Sequence, residues 1–498
     1  MYGLPWLPSL RFGHPKPRVV LGAHGLLGWS PVTLDLDTFN SHLYVVGASG
    51  QGKSKFLQQL LFQLAVVGHG CGVFDPHADL ASDLLAELAS YPAPAWLSDP
   101  KNRERVIYLD PSRTDYLIPC NILKSSCSTP YEVAENVVEA FRRVWPETLA
   151  EAPRFGQILR NAALTLALNG LSLLELEPLL TNRDFRMRLL ATTADPLVVT
   201  FFTHQYDKWG REQAIFASPV LNKVSAFLFK PQVRLMLGAN ENRLDFREII
   251  DRGKVLIVNL GGFHDEETQR LLGALLITAL EQAAFSRSNQ APADRKPFFC
   301  MIDEFPLFCS RDQTSLARIL SECRKYRLHL GLAHQTIAQL PGQRIQGALE
   351  NAKLKIIFGT GRQTAEAIVK DLFLPDPKAI KHEVVDAEAQ DRTHPVFHPL
   401  PEQFEGFVQQ IQKQPRQQVF VKLPERDTVM SARTPVVPPS RINADTLEQW
   451  KRYLARQCGK AYATLEAEIA ERTQRLGLPT MQAQPPAGKP VDEDMIWQ

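Results

Sequence analysis

Gly47-Ala48-Ser49-Gly50-Gln51-Gly52-Lys53-Ser54 fits the pattern G-x-x-x-x-G-K-[ST] at every constrained position. Upstream, His42-Leu43-Tyr44-Val45-Val46 is apolar and partly β-branched and predicts a buried strand. Downstream, Phe56, Leu57, Leu60, Leu61 and Leu64 recur at helical spacing within residues 55–67. Strand, glycine-rich loop and helix in that order turn a pattern match into a phosphate-binding expectation. The glycines let consecutive N–H groups face the phosphates, and the helix start adds partial positive charge. The loop together with Lys55 is therefore the expected nucleotide cradle. Lys53 would reach the β- and γ-phosphates, and Ser54 would offer its hydroxyl to Mg²⁺. ATP or GTP is the expected ligand, with Mg²⁺ beside it.

Phe298-Phe299-Cys300-Met301-Ile302-Asp303-Glu304 is a hydrophobic strand ending in two carboxylates, the Walker B pattern. Hydrolysis needs one carboxylate to hold the Mg²⁺ hydration shell and another to orient the attacking water. Asp303 fits the first role and Glu304 the second, which predicts turnover rather than sensing. A strand at 328–333 stops at His334-Gln335-Thr336, which would bring the Gln335 amide near the γ-phosphate or the water. Further apolar runs at 70–74, 106–109, 254–260 and 354–358 alternate with helical stretches. Such runs predict a parallel sheet covered on both faces. Asp75-Pro76-His77-Ala78-Asp79-Leu80 puts polar residues at a strand's carboxyl end, where such sheets place ligands. Asp before Pro is equally a turn former, so both readings of 75–79 stay open; Asp110 before Pro111 is read as a turn.

From about residue 126 the period becomes helical, at 130–144, 155–169, 171–180, 181–191 and 219–237, with no strand between. Five segments follow. Residues 1–40 are an arm with one or two short strands leading into the loop strand, and 41–125 begin an ATPase domain. An all-α insertion fills 126–243, the ATPase domain resumes over 244–433, and 434–498 are linker, helix and disordered tail. The Pro- and Gln-rich stretch after Pro375 is given one strand, at 418–423. Asp445-Thr446-Leu447-Glu448 resembles a capping box opening a helix that runs to about 476. Within the insertion, Trp145, Trp209, Arg183, Arg186 and Arg188 suggest nucleic-acid contact or, as is commoner, a solvated helix face.

A net charge of +2 neither demands nor excludes a nucleic-acid partner. The seven cysteines include no C-x-x-C pair; Cys71, Cys300 and Cys309 sit in or beside apolar runs and read as reduced core thiols. No run reaches eighteen apolar residues and no signal peptide opens the chain. The expectation is a cytoplasmic protein, recruited to the inner membrane, if at all, by a partner.

With these pieces in place, the chain resembles the HerA/FtsK superfamily of DNA-pumping P-loop ATPases. Within it, the chain is similar to type IV secretion coupling proteins, the TraD/TraG-like ATPases of conjugation. The likeness spans about 18 to 435 and rests on the 47–54 loop, the 75–80 strand end, and the block from Leu244-Asp245-Phe246-Arg247 to Leu260. Asp303-Glu304 and the stretch from Glu322-Cys323-Arg324-Lys325-Tyr326 to His334-Gln335-Thr336 complete it. The resemblance implies an α/β, RecA-like P-loop NTPase with a mostly parallel sheet, an all-α insertion between Walker A and Walker B, and a helical C-terminal extension. It implies a hexameric ring that moves DNA through a central channel. It also implies that Arg324 enters a neighbour's ATP site and that Gln335 is a sensor; Arg362 is the other candidate for the trans-acting arginine. A secretion channel, a relaxase or a nuclease would be the partner. Other readings are a secretion-assembly ATPase acting on protein, or a HerA-like ATPase serving a nuclease or defence partner. Three departures stand out: there are no initial transmembrane helices, no room for the amino-terminal β-barrel of HerA proteins, and alanine instead of the frequent glycine at position 78.

Overall fold

The computed structural model describes residues 18–25, 30–36, 39–90, 95–308, 314–340, 347–386, 392–426 and 428–479. The start of the arm, Cys309 and the tail from 480 lie outside the described residues. In chain order the strands are β1 (Arg18–His24), β2 (Ser30–Asp35), β3 (Leu43–Val46), β4 (Gly70–Asp75), β5 (Val106–Leu109), β6 (Tyr116–Leu117), β7 (Val255–Asn259) and β8 (Phe298–Ile302). Then come β9 (Leu328–His334), β10 (Leu354–Phe358), β11 (Ile380–Asp386), β12 (Arg392–Phe397), β13 (Gln418–Lys422), β14 (Val429–Arg433) and β15 (Lys460–Ala461).

Eleven strands form one sheet, ordered β2-β1-β14-β13-β10-β3-β9-β8-β4-β7-β5. From β10 to β5 every pairing is parallel. Strands β3, β4, β5, β7, β8 and β9 are buried along their whole length, as continuous apolar runs require when helices cover both faces. One core lies between the sheet and the helices Lys53–Val67 and Asp79–Leu88. The other joins the opposite face to Glu266–Ser286 and the insertion. This is the RecA-like P-loop fold.

Between residues 126 and 243 every helix or strand element is a helix, and the apolar residues merge with the core beneath Glu266–Ser286. Arg143, on the helix Pro130–Val144, meets Glu281 at 2.5 Å with both side chains buried. Arg186 corrects the reading of a solvated or nucleic-acid-facing charge. It is buried, donates to the carbonyls of Leu179 and Leu180, and pairs with Asp207 at 2.5 Å. Trp145 donates to Glu267, and Trp209 lies beneath the Arg154 guanidinium, so neither ring is a free stacking platform.

The β1–β2 hairpin closes the far edge of the sheet, where β1 pairs with β14 through Ala23 and Arg433. Two other expectations change. The stretch after Pro375 holds more than one strand: β11 and β12 pair with each other, the helix Leu400–Gln412 follows, and β13 pairs with β14. Pro399 is the N-cap of that helix and Pro401 lies in its first turn, where no N–H is needed, so they do not break it. Finally, the C-terminal helix is two helices, Ala444–Cys458 and Tyr462–Arg475, and the first is capped by Asn443 rather than by a box at Asp445.

Those two helices strap the molecule. Leu454 enters the core shared with Asp79–Leu88, and Lys451 donates to Ser82 at 3.1 Å. Strand β15 pairs with β6, and Leu465 packs with Leu117 and Leu235. The buried Arg472 then reaches the insertion, donating to Glu175 at 2.9 Å, Asn240 at 2.7 Å and Ser172 at 3.1 Å. Removing one partner of a buried ion pair leaves the other charge uncompensated. Arg472→Ala should therefore destabilise the strap by about 3 kcal/mol, read as faster amide exchange across 462–475 and a lower melting temperature. The pair Glu175→Gln with Arg472→Met should recover most of the loss.

Candidate nucleotide site

Parallel pairing sets the site. Val46 lies opposite His334, Ile302 opposite Leu332, and Phe74 opposite Ile302, so four strands end along one edge. The residues leaving those ends are Gly47, Gln335, Asp303 and the terminal Asp75. The loop after β3 leads into the helix Lys53–Val67 through Gly52, at φ 112°, a conformation that suits glycine. Gly47 is forced by close approach, since a Cβ there would stand 2.4 Å from that of Phe358. The Ala48 N–H donates to the Gly359 carbonyl at 2.9 Å, which fastens the loop to the end of β10.

Lys53 is buried and folds back over the loop, its Nζ donating to the Gly47 carbonyl at 2.5 Å and that of Ala48 at 3.2 Å. Burial lowers its pKa, and the nearby Glu304 and Asp303 carboxylates offset part of that. Ser54 and Ser49 are exposed. The Lys55 ammonium is held by Asp83 at 2.5 Å and Gln58 at 3.1 Å, so its side chain is committed to the helix surface.

Asp303 is buried and its pKa is pushed up to about 6, first by burial and then by the charges of Asp75 and Glu304. Asp75 is itself raised by burial, although its two oxygens accept from the His77 and Ala81 N–H groups at 2.8 Å each. For 75–79 that favours the turn reading of Asp75, while His77 and Asp79 stay exposed at the edge. Ala78 takes φ 72°, which explains why glycine suits that position. Asp110 accepts from Ser112, as a turn former does.

Glu304 has φ 44°, uncommon for a side chain of its size and characteristic of strained functional positions. Its Oε1 accepts from Gln335 Nε2 at 2.7 Å and its Oε2 from Gln339 Nε2 at 3.2 Å. Gln339 escaped the sequence reading, yet Thr336-Ile337-Ala338-Gln339 has capping-box spacing, and both halves of the box form. His334 is buried between β3 and Phe305. The Thr336 carbonyl can only accept, so His334 Nδ1 carries the proton and Nε2 accepts from the Tyr44 hydroxyl at 2.7 Å. Burial, aided by Lys53, lowers its pKa to about 4, so it stays neutral.

The two candidate trans-acting arginines fall in different places. Arg324 lies in the turn Cys323–Tyr326, and its charge acts on His42 and His329 at the amino ends of β3 and β9. That is the opposite edge of the sheet from Lys53. Among the described residues no carboxylate pairs with Arg324. Arg362 is exposed near the loop edge and is occupied by Glu366 at 2.6 Å and Glu405 at 2.8 Å.

The residues fit a nucleoside triphosphate with Mg²⁺. The loop is a cradle that a Cβ at Gly47 would fill, and Gln51 Oε1, Thr360 Oγ1 and the Gln414 amide are buried without partners around it. Ser54 and Asp303 are the residues that would hold the metal and its waters, and the metal would supply charge neutralisation there.

A family model of the central domain of the helicase HerA matches residues 20–279, just over half of the chain. No curated protein matches the sequence. Among solved structures, the bacterial conjugative coupling protein TrwBdeltaN70, in an unbound monoclinic form, is 18% identical with a TM-score of 0.59, over 83% of this chain and 89% of that one. The plasmid coupling protein TrwB in complex with ADP and Mg²⁺ is 18% identical with a TM-score of 0.57, over 80% and 87%. VirB4 of Thermoanaerobacter pseudethanolicus is 12% identical with a TM-score of 0.53, over 84% and 96%. At these identities the likeness is one of fold. No helix among the described residues is long and apolar enough to cross a membrane.

A carboxyl raised to about 6 from an ordinary 3.8 is bound to its proton more tightly in the folded chain than in the unfolded one. Its stabilising contribution is complete below pH 3.8 and is lost as pH rises through 6. The gap amounts to about 3 kcal/mol. In protein free of nucleotide and Mg²⁺, Asp303→Asn should raise the melting temperature at pH 8 by a few degrees and leave it nearly unchanged at pH 4. Differential scanning fluorimetry across pH checks this.

Proposed function

The chain belongs to the family of the helicase HerA central domain and is a P-loop ATPase; from that premise we propose that it works as a hexameric ring that couples ATP hydrolysis to movement of DNA through a central channel. In this reading Lys53 holds the β- and γ-phosphates, Ser54 and Asp303 serve Mg²⁺, Glu304 orients the lytic water and Gln335 senses the γ-phosphate. Residues 41–125 and 244–433 are the motor, and 126–243 are the insertion that the motor moves.

The observation that carries the proposal is the position of Arg324. It stands across the sheet from its own Lys53, without a carboxylate partner among the described residues. An arginine so placed can complete only a nucleotide site held by another copy, which makes hydrolysis depend on the interface. Charge developing in the transition state would then be met by Arg324 of the adjoining subunit. Arg362, already paired twice, is less suited to the part. Membership of the helicase HerA family and likeness to the conjugative coupling protein TrwB favour DNA as the cargo.

Likeness to VirB4 over nearly the whole of that chain favours a second reading, a secretion-assembly ATPase acting on protein. DNA contact through basic loops would be salt-dependent and largely sequence-independent. ATP hydrolysis measured with and without single- and double-stranded DNA, beside the mass of the assembly, separates the two; stimulation by DNA supports the first and its absence the second.

Arg324→Ala should lower kcat by about a thousandfold. Mixing Arg324→Ala with Lys53→Ala, each inactive alone, should restore about a quarter of the parent rate, the chance that an intact loop meets an intact arginine in a random ring. No recovery on mixing, or full turnover by a single copy lacking Arg324, contradicts the shared site.

A further inference from the structure

Glu304 has both carboxylate oxygens engaged by one short segment of chain. Gln335 donates to Oε1 and Gln339 to Oε2, and the two glutamines are themselves tied together. Gln339 Oε1 accepts from the backbone N–H of Gln335 and of Thr336, at 3.0 Å each. A single amide group therefore closes the end of β9 with its oxygen and grips Glu304 with its nitrogen. Two donors aimed at the two oxygens fix the plane of the carboxylate, and the backbone of Glu304 is already in a conformation with little freedom.

The grip is tied to a neighbouring helix. The Ile337 N–H donates to Thr364 Oγ1 at 3.1 Å, and Thr364 is buried in the first turn of the helix Arg362–Leu372. The start of that helix is exposed, with Arg362 at the surface. A push on the helix start, by a neighbouring subunit or by the cargo, would reach Glu304 through two hydrogen bonds, Ile337 to Thr364 and Gln339 to Glu304.

We propose that Gln339 is a positioning residue that, with Gln335, parks the Glu304 carboxylate away from the water it must orient, so that turnover waits on movement of the turn at residues 335–340. This rests on the role given to Glu304 above. Nothing covalent changes in the step: the N–H···O bonds from Gln339 and Gln335 to Glu304 open, and the freed carboxylate oxygens accept hydrogen bonds from water instead. Gln335 is then released toward the γ-phosphate by the same movement, since the Gln339 oxygen holds its backbone N–H.

The test is ATP hydrolysis without DNA by the full chain. Gln339→Glu keeps an oxygen for the two backbone N–H groups but replaces the donor with a like charge facing Glu304. Gln339→Met keeps the length and removes donor and acceptor together, and it decides the matter should the glutamate variant fail to fold. The expected result is a DNA-free kcat about three- to tenfold above the parent, with KM for ATP within about twofold. Gln339→Asn, which keeps the amide on a shorter stem, should fall between the parent and Gln339→Met. An unchanged or lower DNA-free kcat in variants that melt like the parent overturns the proposal, because a residue that merely supports the fold gives no gain. Glu304→Gln is made alongside, alone and with Gln339→Glu. If Glu304→Gln alone turns over ATP like the parent, the assignment of Glu304 fails and this proposal with it. If Glu304→Gln is inactive yet the Gln339 variants show no gain, only the role of Gln339 is lost.

Discussion

The parallel register of β3, β9, β8 and β4 is the constraint on which the chemistry depends. Those strands are far apart in sequence, but pairing Val46 with His334, Leu332 with Ile302 and Ile302 with Phe74 brings their carboxyl ends to one edge. Because side chains alternate along a strand, a slip of one residue would turn each set to the other face. Lys53, Asp303, Glu304 and Gln335 could not then share one space. The apolar burial of all four strands is what holds the register, so the core and the site are one arrangement.

That edge is crowded with acid. Asp75, Asp303 and Glu304 stand close enough to disturb one another, in a place where water is scarce. The structure manages the strain in three ways. Asp75 takes two backbone N–H bonds, Lys53 supplies a nearby cation, and His334 is kept neutral by burial and by its bonds to Thr336 and Tyr44. Asp303 accepts one backbone N–H, from Glu304 at 3.1 Å, and feels the Lys53 charge, yet burial and the two neighbouring carboxylates still push its pKa up to about 6. A divalent ion beside it would remove that penalty, which is consistent with the metal role assigned to it.

Local patterns carried much of this and failed in recognisable places. The loop, the Walker B strand and the alternation of apolar runs with helices were legible because each is a contiguous signal with a fixed period. Phe404, Phe407, Val408 and Ile411 also lie at helical spacing, yet prolines nearby masked a helix whose start they occupy. Strands β11 and β12 pair only with each other, so no core run announced them. Arg186 looked like a surface charge because its partners, Asp207 and two carbonyls, meet it only after the insertion folds. Gln339 was readable in principle from the spacing Thr336 to Gln339, but nothing local said that its amide would reach Glu304.

By itself the sequence determined the phosphate loop, the two carboxylates behind an apolar strand, the helical insertion and a parallel sheet, since each follows from neighbouring residues and their period. Tertiary structure alone decided the strand order, the edge on which Arg324 lies, the strap that ties Arg472 to Glu175, and the pair of amides that hold Glu304. Those depend on contacts between segments tens to hundreds of residues apart, whose pairing is settled by packing and burial across the whole chain rather than by any local preference.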